Sequence, residues 1–298
     1  MRLDDYRTSD NVGDQRGQNF GGGGFGGGGG GMFGMLFGLV LSRFGIGGVI
    51  VLGILFFMFG GLGSMTGGGS GVVAPGQQAA RGGGTAAEAC AVDQASRFSC
   101  QVLASTEDTW STIFNEQGQR YQPAGFVFYS GRGQSGCGAA QSAMGPFYCP
   151  TDNKIYVDTS FYQELQNRFG AAGDFAQAYV IAHEVGHHIQ HLTGTLDQAQ
   201  AAQSRLPAAR GNAVQVQVEL QADCYAGVWA ARNRNRLEPG DVEEGRRAAE
   251  AIGDDTLQRE SQGRVVPESF THGTSAQRMA ALQRGLQTGD PAACQFSA

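Results

Sequence analysis

A proline-free run from Asp174 to Thr193 constrains this chain more than any other stretch. It opens on Asp174, a residue that can cap a helix, and Gly194 follows its last apolar residue as a stop signal. The spacing predicts one helix. Phe175, Ile181, Val185, Ile189 and Leu192 supply enough apolar surface to bury it in a core. Within it His183 and His187 are four apart, so a pitch of about 3.6 residues puts both imidazoles on one face, where they can chelate a single ion. Glu184 stands beside the first imidazole, placed to take a proton from a metal-activated water, which is the mechanical sense of a His-Glu-x-x-His pattern. An amphipathic helix with surface histidines would show the same five letters. Against that reading, four of the chain's five histidines, His183, His187, His188 and His191, fall in this run, and such clustering favours metal.

Catalytic zinc takes three protein ligands and keeps one position open, so a third donor is required. The metzincin extension fails, because it needs glycine where Gln190 stands and histidine where Thr193 stands. A second predicted helix, Asn212 to Trp229, carries Glu219 and Asp223, again four apart and on one face. Glu219 can complete the zinc shell, and Asp223, one turn on, can accept the N–H of a ligating imidazole and fix its tautomer. This is a gluzincin arrangement.

From about Cys90 onward the chain resembles the neutral zinc metallopeptidase family of bacterial membrane proteins. The residues that carry the likeness are Cys137-Gly138, Gly145 to Pro150, Ile155 to Asp158, His183 to His188, Glu219 to Cys224 and His272 to Arg278. The resemblance implies an α+β, zincin-like domain, mainly helical with a small sheet and preceded by one transmembrane helix. It implies peptidase chemistry on a peptide or protein substrate, with His183, His187 and Glu219 as zinc ligands and Glu184 as the base. It also offers Ile155 to Asp158 as the strand that borders the cleft and pairs with extended substrate, although an ordinary core strand reads the same.

The front of the chain differs in composition. Met1 to Phe20 is polar and Gly21 to Gly31 is glycine broken only by Phe25, so residues 1–31 are expected to form a disordered cytoplasmic tail. A phosphate cradle is excluded, since no strand precedes the glycines and no Lys-Ser/Thr follows them. Residues 32–63 form a membrane-anchor region: apart from Arg43 they carry no charge, and the run of about 44–63 is long enough to span a bilayer. An uncleaved anchor fits better than a signal peptide, given the long polar leader. Arg2, Arg7, Arg16 and Arg43 precede it and the next cation is Arg81, a bias that puts the amino terminus in the cytoplasm and the catalytic domain outside the inner membrane. Residues 64–88 read as a flexible linker and residues 89–298 as the peptidase domain.

All six cysteines follow the apolar run, as expected of an oxidising compartment. Fifteen pairings are possible; Cys90 with Cys100 and Cys137 with Cys149 are the economical ones, which leaves Cys224 with Cys294. Further elements are a helix start at Thr106 with acidic first-turn residues, a strand over Gly125 to Tyr129, and charged helices over Asp241 to Ile252 and Ser275 to Leu286. Arg232, Arg234 and Arg236 could suggest nucleic acid. Residues 82–298, however, hold 16 basic and 23 acidic side chains, which favours a solvated helix face and no nucleic-acid partner.

Two functions remain open at this point: a membrane-anchored peptidase, or a zinc-binding envelope protein that holds rather than cleaves its partner. Retention of Glu184 favours the enzyme, because a structural zinc site needs no base. A peptidase of this kind also needs a donor for the oxyanion. His272, the one histidine outside the helix, is the candidate, with Tyr225, His188 and His191 as alternatives and a purely structural role as its rival reading.

Overall fold

The computed structural model describes residues 1–18, 84–167 and 173–296. The glycine stretch Gly21 to Gly31, the apolar run of about 44–63 and nearly all of the expected linker lie outside these residues. Among the described residues no helix is long and apolar enough to cross a membrane.

The architecture is α+β, mainly helical with a small sheet, as expected. Strands β1 (Val12–Asp14), β2 (Gly125–Tyr129), β5 (Phe147–Cys149) and β6 (Lys154–Asp158) form one sheet in the order β1-β2-β6-β5, with β5 antiparallel and the other pairings parallel. The pleat divides the sheet into two faces. Phe126, Phe128, Ile155 and Val157 point into the main core, whereas Val127, Tyr129 and Tyr156 join Cys149 in a smaller cluster under the hairpin β3 (Arg132–Ser135) and β4 (Gly138–Gln141). Strand β6 is flanked on both sides. The expectation that Ile155 to Asp158 pairs with substrate is therefore corrected: β6 is interior, and the edge strand beside it is β5.

On the main-core side lie α1 (Ala86–Cys90), α2 (Gln94–Glu116), α3 (Ser160–Asn167), α4 (Asp174–Leu192), α5 (Thr195–Gln203), α6 (Ala208–Arg232), α7 (Asp241–Ala251), α8 (Asp254–Gln262) and α9 (Ser275–Thr288). Helix α4 is the predicted histidine helix. Its cap position is held by Gly173 rather than Asp174, and Gly194, at φ 77°, ends it as foreseen. Helices α4 and α6 cross so closely that a Cβ on Gly186 would come within 2.9 Å of the Ala222 backbone. Helix α9 clamps the other side of α6, where a Cβ on Gly285 would meet the Cys224 carbonyl at 1.9 Å. Glycine inside both helices costs helix propensity, and here it permits backbone contact. Three disulfides fix the frame: Cys90–Cys100, Cys137–Cys149 and Cys224–Cys294, the pairing expected on economy.

Residues 1–18 are not a disordered tail. Met1 and Leu3 are buried in the main core, Val12 joins them, and β1 adds a parallel strand beside β2. The Met1 α-amine donates to Asp174 at 2.5 Å and to Asp241 at 3.0 Å. Ser9 and Asn11 donate to the buried Glu107, Arg7 bonds Glu107 and Asp108, and the Arg16 guanidinium lies over the Phe128 ring while donating to the Ala89 carbonyl. This corrects a second expectation. Helix α2 starts at its Asp93 cap rather than at Thr106, and the mid-helix acids Glu107 and Asp108 are receptors for the amino-terminal segment, not first-turn residues. Burying side chains of the size of Met1, Leu3 and Val12 stabilises by roughly 1.5–3 kcal/mol each, which explains why the segment holds its place. Residues 1–18 thus pack as one body with residues 84–167 and 173–296. The arginines of 232–236 are engaged too: Arg232 with Glu116, Arg234 with the Leu286 carbonyl, and Arg236 with Asp5 and the Arg2 carbonyl.

Candidate metal centre and cleft

Helices α4 and α6 bring the three expected ligands together. One donor atom each from His183, His187 and Glu219 lies within 4.8 Å of the others. The Glu219 Oε2 is 3.2 Å from His183 Nε2 and 3.7 Å from His187 Nε2. Tetrahedral zinc with bonds of about 2.0–2.1 Å sets its donors about 3.3 Å apart, and these two separations lie within about 0.4 Å of that spacing. Both imidazoles present Nε2 because Nδ1 is occupied. His183 Nδ1 bonds Asp223 Oδ1 at 2.8 Å and His187 Nδ1 bonds Gln190 Oε1 at 2.9 Å, which fixes each tautomer with the proton on Nδ1.

Each orienting group is held in turn. Arg278, 2% exposed, donates through Nε and Nη2 to both Asp223 oxygens at 2.9 Å, and Tyr179 donates to Asp223 Oδ1 at 2.6 Å. Burial alone would raise the Asp223 carboxyl, but Arg278 and His183 outweigh it and hold it at about 2. Gln190 donates its amide to the Val218 carbonyl and to Gln221, so its oxygen faces His187. Gln215 donates to Glu219 Oε1 at 3.0 Å, leaving Oε2 for the metal.

The electrostatics call for a cation. Burial pushes the His183 imidazole down, yet Asp223 and then Glu219 raise it to about 10. Burial likewise raises Glu219, and His187 and His183 pull it well below the usual carboxylate range. Asp223 and Arg278 neutralise one another. Without a metal the proton held on His183 supplies the positive charge; a divalent ion on the two Nε2 atoms would replace it, leaving the imidazoles neutral and the buried Glu184 and Glu219 carboxylates to balance the ion.

Glu184 is 7% exposed and has no hydrogen-bond partner among the described residues. Burial raises its carboxyl pKa, an effect tempered by His187 and His183. It lines a cavity of about 310 Å³ together with all three candidate ligands and His272. His272, 8% exposed, comes from the loop before α9. Asp254 organises that loop, since its Oδ2 accepts from the backbone N–H groups of Thr271, His272 and Gly273, and its Oδ1 lies 3.1 Å from His272 Nδ1. Burial would lower the His272 imidazole, but Asp254 leaves it raised. Of the alternative donors, Tyr225 packs edge-on to Trp110 away from the cavity, and His188 is held by Tyr148 and the Gln122 carbonyl. His191 does line the cavity, with its Nδ1 bonded to the Tyr148 hydroxyl at 2.8 Å.

Of the residues singled out in the sequence, His183, His187, Glu219, Glu184 and His272 come together at one cavity, with Asp223 bonded to His183 behind it. Sequence reasoning missed Gln190, Gln215, Asp254, Tyr179 and Tyr148, and it quoted Arg278 without a role. Arg278 has a signal, a lone arginine in the first turns of an otherwise uncharged helix start; the others have none short of the folded chain.

The helix pair and its donor set define the class: a protein with a three-donor cluster that could hold a metal ion, open to a cleft, with a free carboxylate beside it. The sequence profile described as "Putative neutral zinc metallopeptidase" matches residues 1–296, and the chain belongs to that family. It is 53% identical to Uncharacterized protein YpfJ of Escherichia coli (strain K12) over 68% of this chain and 71% of that one. It is 42% identical to Uncharacterized protein Rv2575 of Mycobacterium tuberculosis (strain ATCC 25618 / H37Rv) over 68% of this chain and 73% of that one. No solved structure matches the chain.

Proposed function

We propose that the protein is a zinc-dependent peptidase of gluzincin type that hydrolyses peptide bonds with Glu184 as general base. The observation that carries this reading is the buried, unpartnered Glu184 carboxylate, facing the same cavity as His183, His187 and Glu219. A site that only stores or structures a metal has no use for it. Zinc bound there would act as a Lewis acid and lower the pKa of a water. Glu184 takes the proton of the attacking water and passes it to the leaving amine, work for which a carboxyl raised by burial is suited. His272 donates from Nε2 to the oxyanion, its ring aimed by Asp254 at Nδ1. Asp223 and Gln190 keep the two imidazoles in register. Extended substrate runs along the edge strand β5, since Gly145 to Tyr148 border the cavity.

The three disulfides support an oxidising, extracytoplasmic location, and the apolar run of about 44–63 supports attachment to the cell membrane. With Arg7 and Arg16 engaged by the folded body, the amino terminus is read on the same side as that body. The testing experiment is peptide hydrolysis by the zinc-loaded protein beside its Glu184→Gln variant. The variant should keep zinc and lose turnover; equal turnover in both would remove Glu184 from the mechanism, and zinc retention with no turnover in either would favour a holding protein.

A further inference from the structure

The walls of the cleft differ in kind from its base. Met144, Pro146 and Phe147 come from the segment leading into β5, Phe161 from α3, Leu196 from α5 and Leu257 from α8, and all six line the cavity. Each is only partly buried, so four separate elements direct apolar surface at one open space. Phe147, Phe161 and Leu196 also pack against the cores, but each keeps apolar surface accessible beside the candidate centre, as the wall of a binding site does.

The charges point the same way. Among the described lining residues the one guanidinium is Arg278, which is committed to Asp223, Tyr179 and the Ile252 carbonyl. No guanidinium or ammonium among the described lining residues is therefore spare for a substrate's terminal carboxylate. Of the lining carboxylates, Glu184 and Glu219 belong to the reactive centre and Asp197 is exposed at the rim, so none is buried and spare for a terminal ammonium. Asp197 at the rim disfavours an acidic side chain, and the apolar walls offer such a side chain no partner.

Resting on the peptidase reading, we propose that the cleft takes an internal stretch of extended polypeptide whose side chains on either side of the scissile bond are apolar and uncharged, which makes the enzyme an endopeptidase. A volume of about 310 Å³ stands at the lower end of the range for ligand sites, roughly 300–1,000 Å³, and admits side chains of a threaded segment rather than a folded domain. The substrate is then a chain that is unfolded or locally extended, with apolar residues exposed.

The experiment uses the zinc-loaded full chain and a library of ten-residue peptides, with termini either acetylated and amidated or left free. Cleavage is expected at internal bonds flanked by Leu, Ile, Val or Phe, equally fast with blocked ends, and kcat/KM should fall about 10- to 100-fold when a flanking apolar residue becomes Asp. Equal rates for Leu and Asp, or a requirement for a free end, would overturn the proposal while leaving the hydrolase reading intact. If no peptide is cleaved, the hydrolase reading fails, and binding still decides the cleft. A blocked fluorescent apolar peptide should bind the Glu184→Gln protein at least tenfold more tightly than its Asp-substituted counterpart, and absent or equal binding would refute the assignment. Leu257→Asp, a change on a partly exposed helix face, should keep bound zinc and lose about tenfold in apolar-peptide binding; unchanged affinity would take α8 out of the site.

Discussion

Helix α4 carries an acidic meeting point at each of two levels, and the contrast between them separates a structural cluster from a reactive one. At its amino-terminal end Asp174 meets Asp241 and Glu244; halfway along, His183 and His187 meet Glu219. Both groups have spacings suited to a metal ion. The first already has its cation, because the Met1 α-ammonium sits on Asp174 and Asp241 with Glu238 at 3.4 Å. No ammonium or guanidinium sits on the second; its positive charge is a proton on His183, which a metal ion on Nε2 would replace. The Arg278 guanidinium stops at Asp223, one layer behind, and Glu184 is left unpartnered toward the cavity. A cluster of carboxylates becomes a metal site where the chain withholds its own cation, and a structural lock where the chain supplies one.

The largest expected effect follows from that difference. Glu219→Ala should deplete bound zinc and bring turnover to background, while Asp241→Asn should leave zinc stoichiometry unchanged. Metal analysis of the two purified variants checks the pair, and full zinc in Glu219→Ala would remove it from the ligand set. Next in size is the oxyanion donor. His272→Ala should retain zinc and lose about 10²–10³ in kcat, the usual cost of one such donor. Near-normal turnover would assign His272 to structure and shift attention to His191 or Tyr148. Smaller again is Gln190→Ala. By freeing the His187 ring it should weaken zinc about 10- to 100-fold, measurable by competition with a chelator; an unchanged affinity would mean that helix packing alone orients His187.

How much of this was legible before folding depends on whether the information is local. The i, i+4 pairs His183/His187 and Glu219/Asp223 each declare a shared face, so ligands and orienting acid could be written down from spacing. Gln190 was noticed only as a misfit to another motif, since its amide meets Val218 and Gln221 on a different helix. Asp254 looked like any acid at a helix start, where in the fold it gathers three backbone N–H groups and His272. Strand order is not written in strand sequence, which is why β6 was offered for a task that an interior strand, paired on both sides, cannot perform. The amino-terminal segment was opaque for a related reason. Met1, Leu3 and Val12 follow no period, and the polar residues between them look solvated until Glu107 and Asp108 are seen beneath them. A cysteine placed at the exposed Asp10 tests that packing in membranes. It should react with an impermeant thiol reagent from the side that holds the disulfide-bonded body; labelling from the opposite side would show that the segment is undocked in the inserted protein.

The smallest expected effect isolates the lock at the start of α4. Burial by itself lowers the Met1 α-ammonium pKa, but the hydrogen bonds it donates to Asp174 and Asp241 outweigh that and leave the group above its ordinary value of 8.0. A pKa higher in the folded state means that the folded chain holds the proton more tightly, so the contribution is fully present below about pH 8 and is lost as pH rises through the raised value. Asp241 is 4% exposed, and Asp241→Asn removes its charge while Asp174 and Glu238, both solvent-facing, remain. The expected loss is about 1–2 kcal/mol at pH 7, less than for a fully enclosed pair because those two carboxylates still screen the ammonium. Urea unfolding of wild type and variant at pH 7 and again well above pH 8 reads the difference. The gap between their stabilities should narrow at the higher pH, where the ammonium has lost its proton in wild type too; a gap that stays constant would mean that Asp241 acts through the start of α7, where it also accepts from the Glu238 amide, and not through Met1.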